Sequence, residues 1–196
     1  MVVVPLNRLR VGIYGLGVIG RKFVTFIEPY EPVISGFDPY VPDDAWPSNV
    51  KRVDSLNALF DDADAVVIHA GLSDETRGSV TAEHLAKLPD NGIIINTARG
   101  GIIDQKALMA ELYTGRIRAG IDVLASPEAG DMLLLNDPAR FYPNLTLTCH
   151  NAGAGTWPRR EELNVWQETA LMNLRRFMNG ETPLYLMDLA RYERST

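Results

Sequence analysis

Short apolar runs alternate with amphipathic stretches along most of this chain, and that alternation predicts its elements. Strands are expected at Arg10–Tyr14, Val33–Phe37, around Val50–Val53, and at Ala65–His69. Three more follow at Gly92–Asn96, Ala119–Val123 and Leu145–Thr148. These are near-continuous apolar runs, the pattern of strands covered on both faces. Helical periodicity marks Val18–Ile27, Ser55–Phe60, Thr81–Lys87 and Asp104–Tyr113. Thr81 followed by Glu83 and His84 suits a helix start, Asp104 suits an N-cap, and Gly115 suits a stop. A longer helix is expected from about Arg159 to Met178, where Leu163, Val165, Trp166, Thr169, Ala170, Leu174 and Phe177 follow the helical period. The sum is an α/β fold: a doubly wound parallel sheet of about seven strands with helices on both faces. Without an internal repeat or a low-complexity tract, residues 1–196 read as one domain, with 181–196 a C-terminal tail.

The junction of the first strand and first helix carries chemistry. The chain there reads Gly15-Leu16-Gly17-Val18-Ile19-Gly20, and the second strand ends at Asp38. Strand, Gly-x-Gly-x-x-Gly, helix and a later acidic residue form the dinucleotide-binding (Rossmann) fingerprint. Gly15 permits the tight turn, Gly17 lets backbone approach a pyrophosphate, and Gly20 lets helix pack close to strand. The helix N-terminus offers N–H groups and a positive dipole end to phosphates. Asp38 is placed to accept hydrogen bonds from ribose hydroxyls and would repel a 2′-phosphate. Pro39 and Tyr40 follow it instead of an arginine, so NAD is favoured over NADP.

Composition narrows the partners. A formal charge of −6 and the lack of a Lys/Arg run leave no basic face for nucleic acid. No run approaches the roughly 18 apolar residues of a membrane span, and no signal peptide is read, so a cytoplasmic setting is expected. The single cysteine, Cys149, excludes an intrachain disulfide. The three histidines, His69, His84 and His150, lack metal-ligand spacing, so no metal is expected. His84 is read as lying on a solvated helix face.

Further blocks follow in a fixed order. They are His69–Gly78, then Gly92–Asp104 with Asn96-Thr97-Ala98-Arg99-Gly100-Gly101 at its centre, then Ala119–Leu124, then Pro143–Gly153 with His150. Together with Gly15–Gly20 they resemble the cofactor domain of the D-isomer-specific 2-hydroxyacid dehydrogenases, over about Arg10 to Pro183. The resemblance implies an NAD-dependent oxidoreductase moving a hydride between nicotinamide and a small D-2-hydroxy acid or 2-keto acid. It implies that Arg99 anchors the substrate carboxylate, that His150 is the general acid/base, and that Asp122 holds the nicotinamide carboxamide. A bidentate guanidinium and an imidazole near neutrality are suited to those tasks. Cofactor contacts are implied for Gly15, Gly17, Val18, Ile19, Gly20 and Asp38. On the adenine side they are implied for His69, Ala70 and Thr76, and around the nicotinamide for Thr97, Ala98 and Gly153. His69 is read as structural or cofactor-adjacent.

Four positions depart from the family pattern. The glutamate that pairs with the histidine is expected shortly after Asp122-Val123; Pro127 falls there without a gap, and a one-residue insertion restores Glu128. Glu128 is taken as that catalytic residue. Cys149 replaces a proline before the histidine and reads as a small buried residue. Val18 stands where relatives often have an arginine near the pyrophosphate, leaving Arg21 or Lys22 to compensate. Gly71 replaces the proline of the His-x-Pro-Leu block, which predicts a looser loop. The family's substrate domain is expected to be largely absent, so a homodimer or a separate substrate domain is the implied partner. Leu184, Tyr185, Leu186, Met187 and Leu189 would then pack elsewhere or mediate self-association. The alternative is a stand-alone NAD-binding sensor or interaction module without turnover. A methyltransferase-like site is the weaker third reading, opposed by Asn96–Gly100.

Overall fold

The computed structural model describes residues 5–125, 138–148, 150, 151, 165–187 and 189. The chain forms two compact units, Met1–His150 and Asn151–Thr196.

In the first unit, β1 (Arg10–Tyr14), β2 (Val33–Phe37), β3 (Lys51–Arg52) and β4 (Ala65–Ile68) are joined by β5 (Ile93–Asn96), β6 (Arg118–Ile121) and β7 (Leu145–Leu147). They make one seven-stranded sheet in the order β3-β2-β1-β4-β5-β6-β7, parallel at every pairing. The chain runs outward from β1 to β3 and then returns to the other side of β1 with β4. That reversal opens a crevice beyond the carboxyl ends of β1 and β4, where open α/β sheets bind ligands.

Side-chain alternation along the strands divides the apolar residues between two cores. Val11 and Ile13 of β1, Ile34 of β2 and Val67 of β4 pack under α1 (Val18–Ile27) through Val24 and Ile27. Val66 and Ile68 of β4, Ile94 of β5 and Ile121 of β6 face the other way. There they meet Leu59 and Phe60 of α2 (Leu56–Asp61), Leu85 of α3 (Ala82–Lys87), and Leu108 and Leu112 of α4 (Gln105–Thr114). Helices therefore cover both faces, as the apolar strand pattern requires. On the β5–β7 half of the α1 face, Ile93, Ile95, Arg118, Gly120 and Thr146 line a groove.

Most element limits differ from the sequence reading by a single residue or not at all, and β6 ends two residues before Val123. Ser55, Thr81 and Asp104 are extended N-caps, so α2, α3 and α4 begin one residue later. The Ser55 hydroxyl accepts the Ala58 N–H at 3.1 Å, and Asp104 accepts from Lys106 and Ala107 at 3.0 and 3.1 Å. Gly115, at φ 76°, closes α4.

His84 corrects an expectation. Its ring does not lie on a solvated face: Nδ1 accepts the Thr81 N–H at 3.2 Å, completing a capping box. The ring also tilts against Phe60 with centroids 5.4 Å apart. Burial against α2 lowers the imidazole pKa.

In the second unit, α5 (Val165–Met178) supplies the described part of the expected long helix; Arg159–Asn164 lie outside the described residues. The tail is tied to this helix by the Asn173 amide, which accepts the Leu184 N–H at 2.7 Å and donates to the Leu184 carbonyl at 3.0 Å. Leu184, Tyr185, Leu186, Met187 and Leu189 keep their side chains exposed.

Candidate cofactor and substrate site

The turn after β1 shows three glycines with three separate duties. Gly15 sits at φ +93°, and a Cβ built there would lie 2.4 Å from the Ala70 nitrogen. Only glycine lets the turn pass so close to the chain leaving β4. A Cβ at Gly20 would lie 2.1 Å from the Gly15 carbonyl oxygen, so this position sets how closely α1 seats on the turn. Gly17 is different. A Cβ there meets nothing within 4 Å, and the residue caps α1 without any side-chain hydrogen bond. The start of α1 therefore has open space beside Gly17, where a pyrophosphate could approach the helix N-terminus. Val18 and Ile19 of that turn are 63% and 68% exposed beside the same space.

Asp38 is held at the end of β2 facing the turn. Oδ2 accepts the Leu16 N–H at 2.8 Å and Oδ1 accepts the Tyr40 N–H at 2.9 Å. A carboxylate has about four lone-pair sites, which leaves capacity for ribose hydroxyls. The compensating cations expected near the pyrophosphate are engaged elsewhere. Lys22 lies over the Phe26 ring at 5.2 Å, one turn further along α1, and Arg21 Nη1 reaches toward the Ala45 carbonyl at 3.5 Å.

The loop after β4 borders the glycine turn on its other side. The His69 N–H donates to the Tyr14 carbonyl at 2.7 Å, and its ring packs against Phe23 of α1, with centroids 5.1 Å apart. Burial lowers the pKa of this imidazole, whose Nε2 is buried without a hydrogen-bond partner. Packing under the turn is its observed role. The Thr76 hydroxyl accepts the Ser73 N–H at 2.8 Å and donates to the Gly71 carbonyl at 2.7 Å. Those bonds restrain the loop that lacks proline at Gly71.

At the other end of the crevice, sheet register does the assembling. The Asp122 N–H donates to the Asn96 carbonyl, and the His150 N–H donates to the Asp122 carbonyl, each at 3.0 Å. The ladder therefore extends one rung past β5, β6 and β7 and sets Asn96, Asp122 and His150 side by side. Asp122 is 3% exposed, and its carboxylate accepts the Thr148 hydroxyl. His150 is exposed and at φ 53°, a left-handed conformation that turns the chain as it leaves β7.

Asn96 is 1% exposed and shapes the arginine loop: Oδ1 accepts the Ala98 N–H at 3.0 Å and Nδ2 donates to the Arg99 carbonyl at 2.9 Å. Thr97 and Arg99 are exposed, Ala98 is half-buried, and Arg99 Nη1 donates to the Ala98 carbonyl at 2.8 Å. Gly100 is buried, and a Cβ there would lie 2.2 Å from the Leu124 carbonyl carbon. Asn96→Ala orphans the half-buried Ala98 N–H and leaves the Arg99 carbonyl with only the Ile102 N–H at 3.3 Å, so a loss of about 1 kcal/mol is expected in a denaturant melt. An unchanged midpoint would show that the amide does not shape this loop.

Glu128, Cys149 and Gly153 lie outside the described residues. Sequence reasoning passed over Thr148 and Tyr40. Thr148 is legible afterwards as a hydroxyl one residue past a strand and next to a buried acid.

A parallel sheet with a glycine turn open to phosphate, an acid at the end of β2, and an arginine, acid and histidine at the ends of β5–β7 defines a dinucleotide-binding domain of the dehydrogenase type. Residues 1–152 match the family model described as D-isomer specific 2-hydroxyacid dehydrogenase, NAD binding domain. The chain belongs to this family, and its cofactor is NAD. D-3-phosphoglycerate dehydrogenase of Methanocaldococcus jannaschii is 40% identical over 126 residues, 63% of this chain and 24% of that protein. Glycerate dehydrogenase of Methylorubrum extorquens is 31% identical over 173 residues, 87% of this chain and 50% of that protein. The chain thus spans half or less of these curated relatives. A D-isomer specific 2-hydroxyacid dehydrogenase of Xanthobacter autotrophicus Py2, solved with NADPH and MES, superposes with a TM-score of 0.75 at 27% identity, covering 96% of this chain and 74% of that one.

Among the described residues, no helix is long and apolar enough to cross a membrane.

Proposed function

We propose that this chain is the cofactor half of an oxidoreductase that interconverts a small D-2-hydroxy acid and its 2-keto acid. The observation that carries the reading is the ladder Asn96–Asp122–His150 with Arg99 on the adjoining loop, all at the edge where the nicotinamide end of a dinucleotide would lie. When bound, NAD supplies the hydride acceptor or donor. Arg99 would hold the substrate carboxylate by two parallel hydrogen bonds, exchanging its bond to the Ala98 carbonyl for the ligand. His150 would take a proton from the hydroxyl oxygen in oxidation and return it in reduction. Glu128 would pair with His150 and raise its basicity. Asp122, fixed by the Thr148 hydroxyl, would accept the carboxamide N–H and so orient the ring. Gly15, Gly17, Val18, Ile19 and Gly20 would contact the pyrophosphate, and Asp38 the adenosine ribose. Ala70 and Thr76 would flank the adenine, with Thr97, Ala98 and Gly153 around the nicotinamide.

A substrate domain would complete the pocket. A cytoplasmic setting is part of the reading, supported by an acidic chain with one cysteine. NADH titration by fluorescence, followed by turnover on glyoxylate, pyruvate and hydroxypyruvate, tests it. Turnover on any of the three supports the enzyme. Binding without turnover on all of them when a relative's substrate domain is also supplied favours a sensor or interaction module, and no binding at saturating NADH removes both.

A further inference from the structure

On the Asp38 side of the crevice, the loops after β2 and β4 meet at Tyr40 and Glu75. The Tyr40 hydroxyl donates to a Glu75 carboxylate oxygen, while the Tyr40 N–H is held by Asp38. One residue thus runs from the acid expected at the ribose to a second acid on the facing loop. The backbone next to Glu75 is fixed by the bonds that Thr76 makes to Ser73 and Gly71. Both carboxylates also act on the same buried hydroxyl. Burial raises the Tyr14 pKa, and the charges of Asp38 and Glu75 add to that rise against the hydrogen bond from Ser79. Among the described residues, neither acid has a salt-bridge partner.

From this we infer that Glu75, held over the adenosine ribose by Tyr40, is a second carboxylate that discriminates against a 2′-phosphate. The inference rests on the dinucleotide site described above and adds to it a residue on a different strand's loop. A 2′-phosphate brings up to two negative charges into a mouth already carrying Asp38. A further fixed charge on the opposite wall deepens the repulsion without touching the ribose hydroxyls. Asp38 cannot be removed cleanly, because it would also supply hydrogen bonds to NAD. Glu75 has no such duty, so its charge acts on the choice between cofactors alone.

The test uses the full chain, with NADH and NADPH each titrated by fluorescence. Glu75→Gln keeps an acceptor for the Tyr40 hydroxyl and removes only the charge. The NADPH-to-NADH ratio of Kd values is expected to fall about three-fold or more at low salt. At about 0.5 M salt, where the screening length is well under 10 Å, the difference should collapse. Tyr40→Phe releases Glu75 and should move the ratio the same way by less. Equal shifts for both cofactors, an unchanged ratio, or a change that persists in high salt would overturn the role of Glu75. Wild-type protein that binds NADH tightly while the ratio stays fixed sinks this inference alone. Wild-type protein that fails to bind NADH sinks the cofactor site beneath it.

Discussion

Gly17→Ala is expected to melt with the wild type and to bind NADH at least tenfold more weakly, whereas Gly20→Ala is expected to lose the fold's stability first. The two positions lie three residues apart in one turn, yet the space around them differs completely. A methyl at Gly17 meets nothing within 4 Å, and the residue already has φ −63°, so an L side chain fits without strain. That methyl would project into the space a pyrophosphate needs, and a tenfold loss corresponds to only about 1.4 kcal/mol. At Gly20 the methyl would lie 2.1 Å from the Gly15 carbonyl oxygen. Both partners are backbone, so relief means lifting α1 from the turn, which should cost about 3 kcal/mol. For a domain of this size that is a drop of roughly 6–12 °C in the thermal midpoint. Paired melts and titrations separate the cases. If Gly17→Ala melts as early as Gly20→Ala, the open space beside α1 is not the phosphate site.

His150→Gln should lower turnover by about 10²- to 10⁴-fold in whichever form of the protein turns over, because glutamine cannot exchange the proton. Arg99→Lys should act mainly through KM, since an ammonium lacks the planar fork that grips a carboxylate. Both side chains are exposed, so neither change should shift the melting curve. NADH affinity should also hold, because neither residue is assigned to the cofactor. Steady-state kinetics on the best keto acid, with a parallel NADH titration, reads all of these. Wild-type kcat in His150→Gln would remove the histidine from the chemistry.

The sequence announces what is local or repetitive in this molecule. The strands are legible because a parallel sheet buried on both faces leaves continuous apolar runs, and the helix starts at Thr81 and Asp104 because those residues bond within their own first turns. Gly15, Gly17 and Gly20 could be assigned separate duties since each follows from the geometry of a strand-to-helix turn. Contacts between distant elements stayed hidden. The environment of His84 depends on Phe60 from another helix, and Tyr40 and Glu75 stand 35 residues apart. The direction of Lys22 is hidden for a related reason: periodicity does not tell whether a long side chain leans toward the start of its helix or back over Phe26. The position of Glu128 depends on a loop outside the described residues.

The fit between Gly100 and the chain at Leu124 and Ala125 has a mechanical consequence. With no slack between them, the arginine loop and the strand exit beyond Asp122 must travel as one part. A push on that exit, from a docked protein or a change in the following loop, would be felt at Arg99 and at Asp122 together.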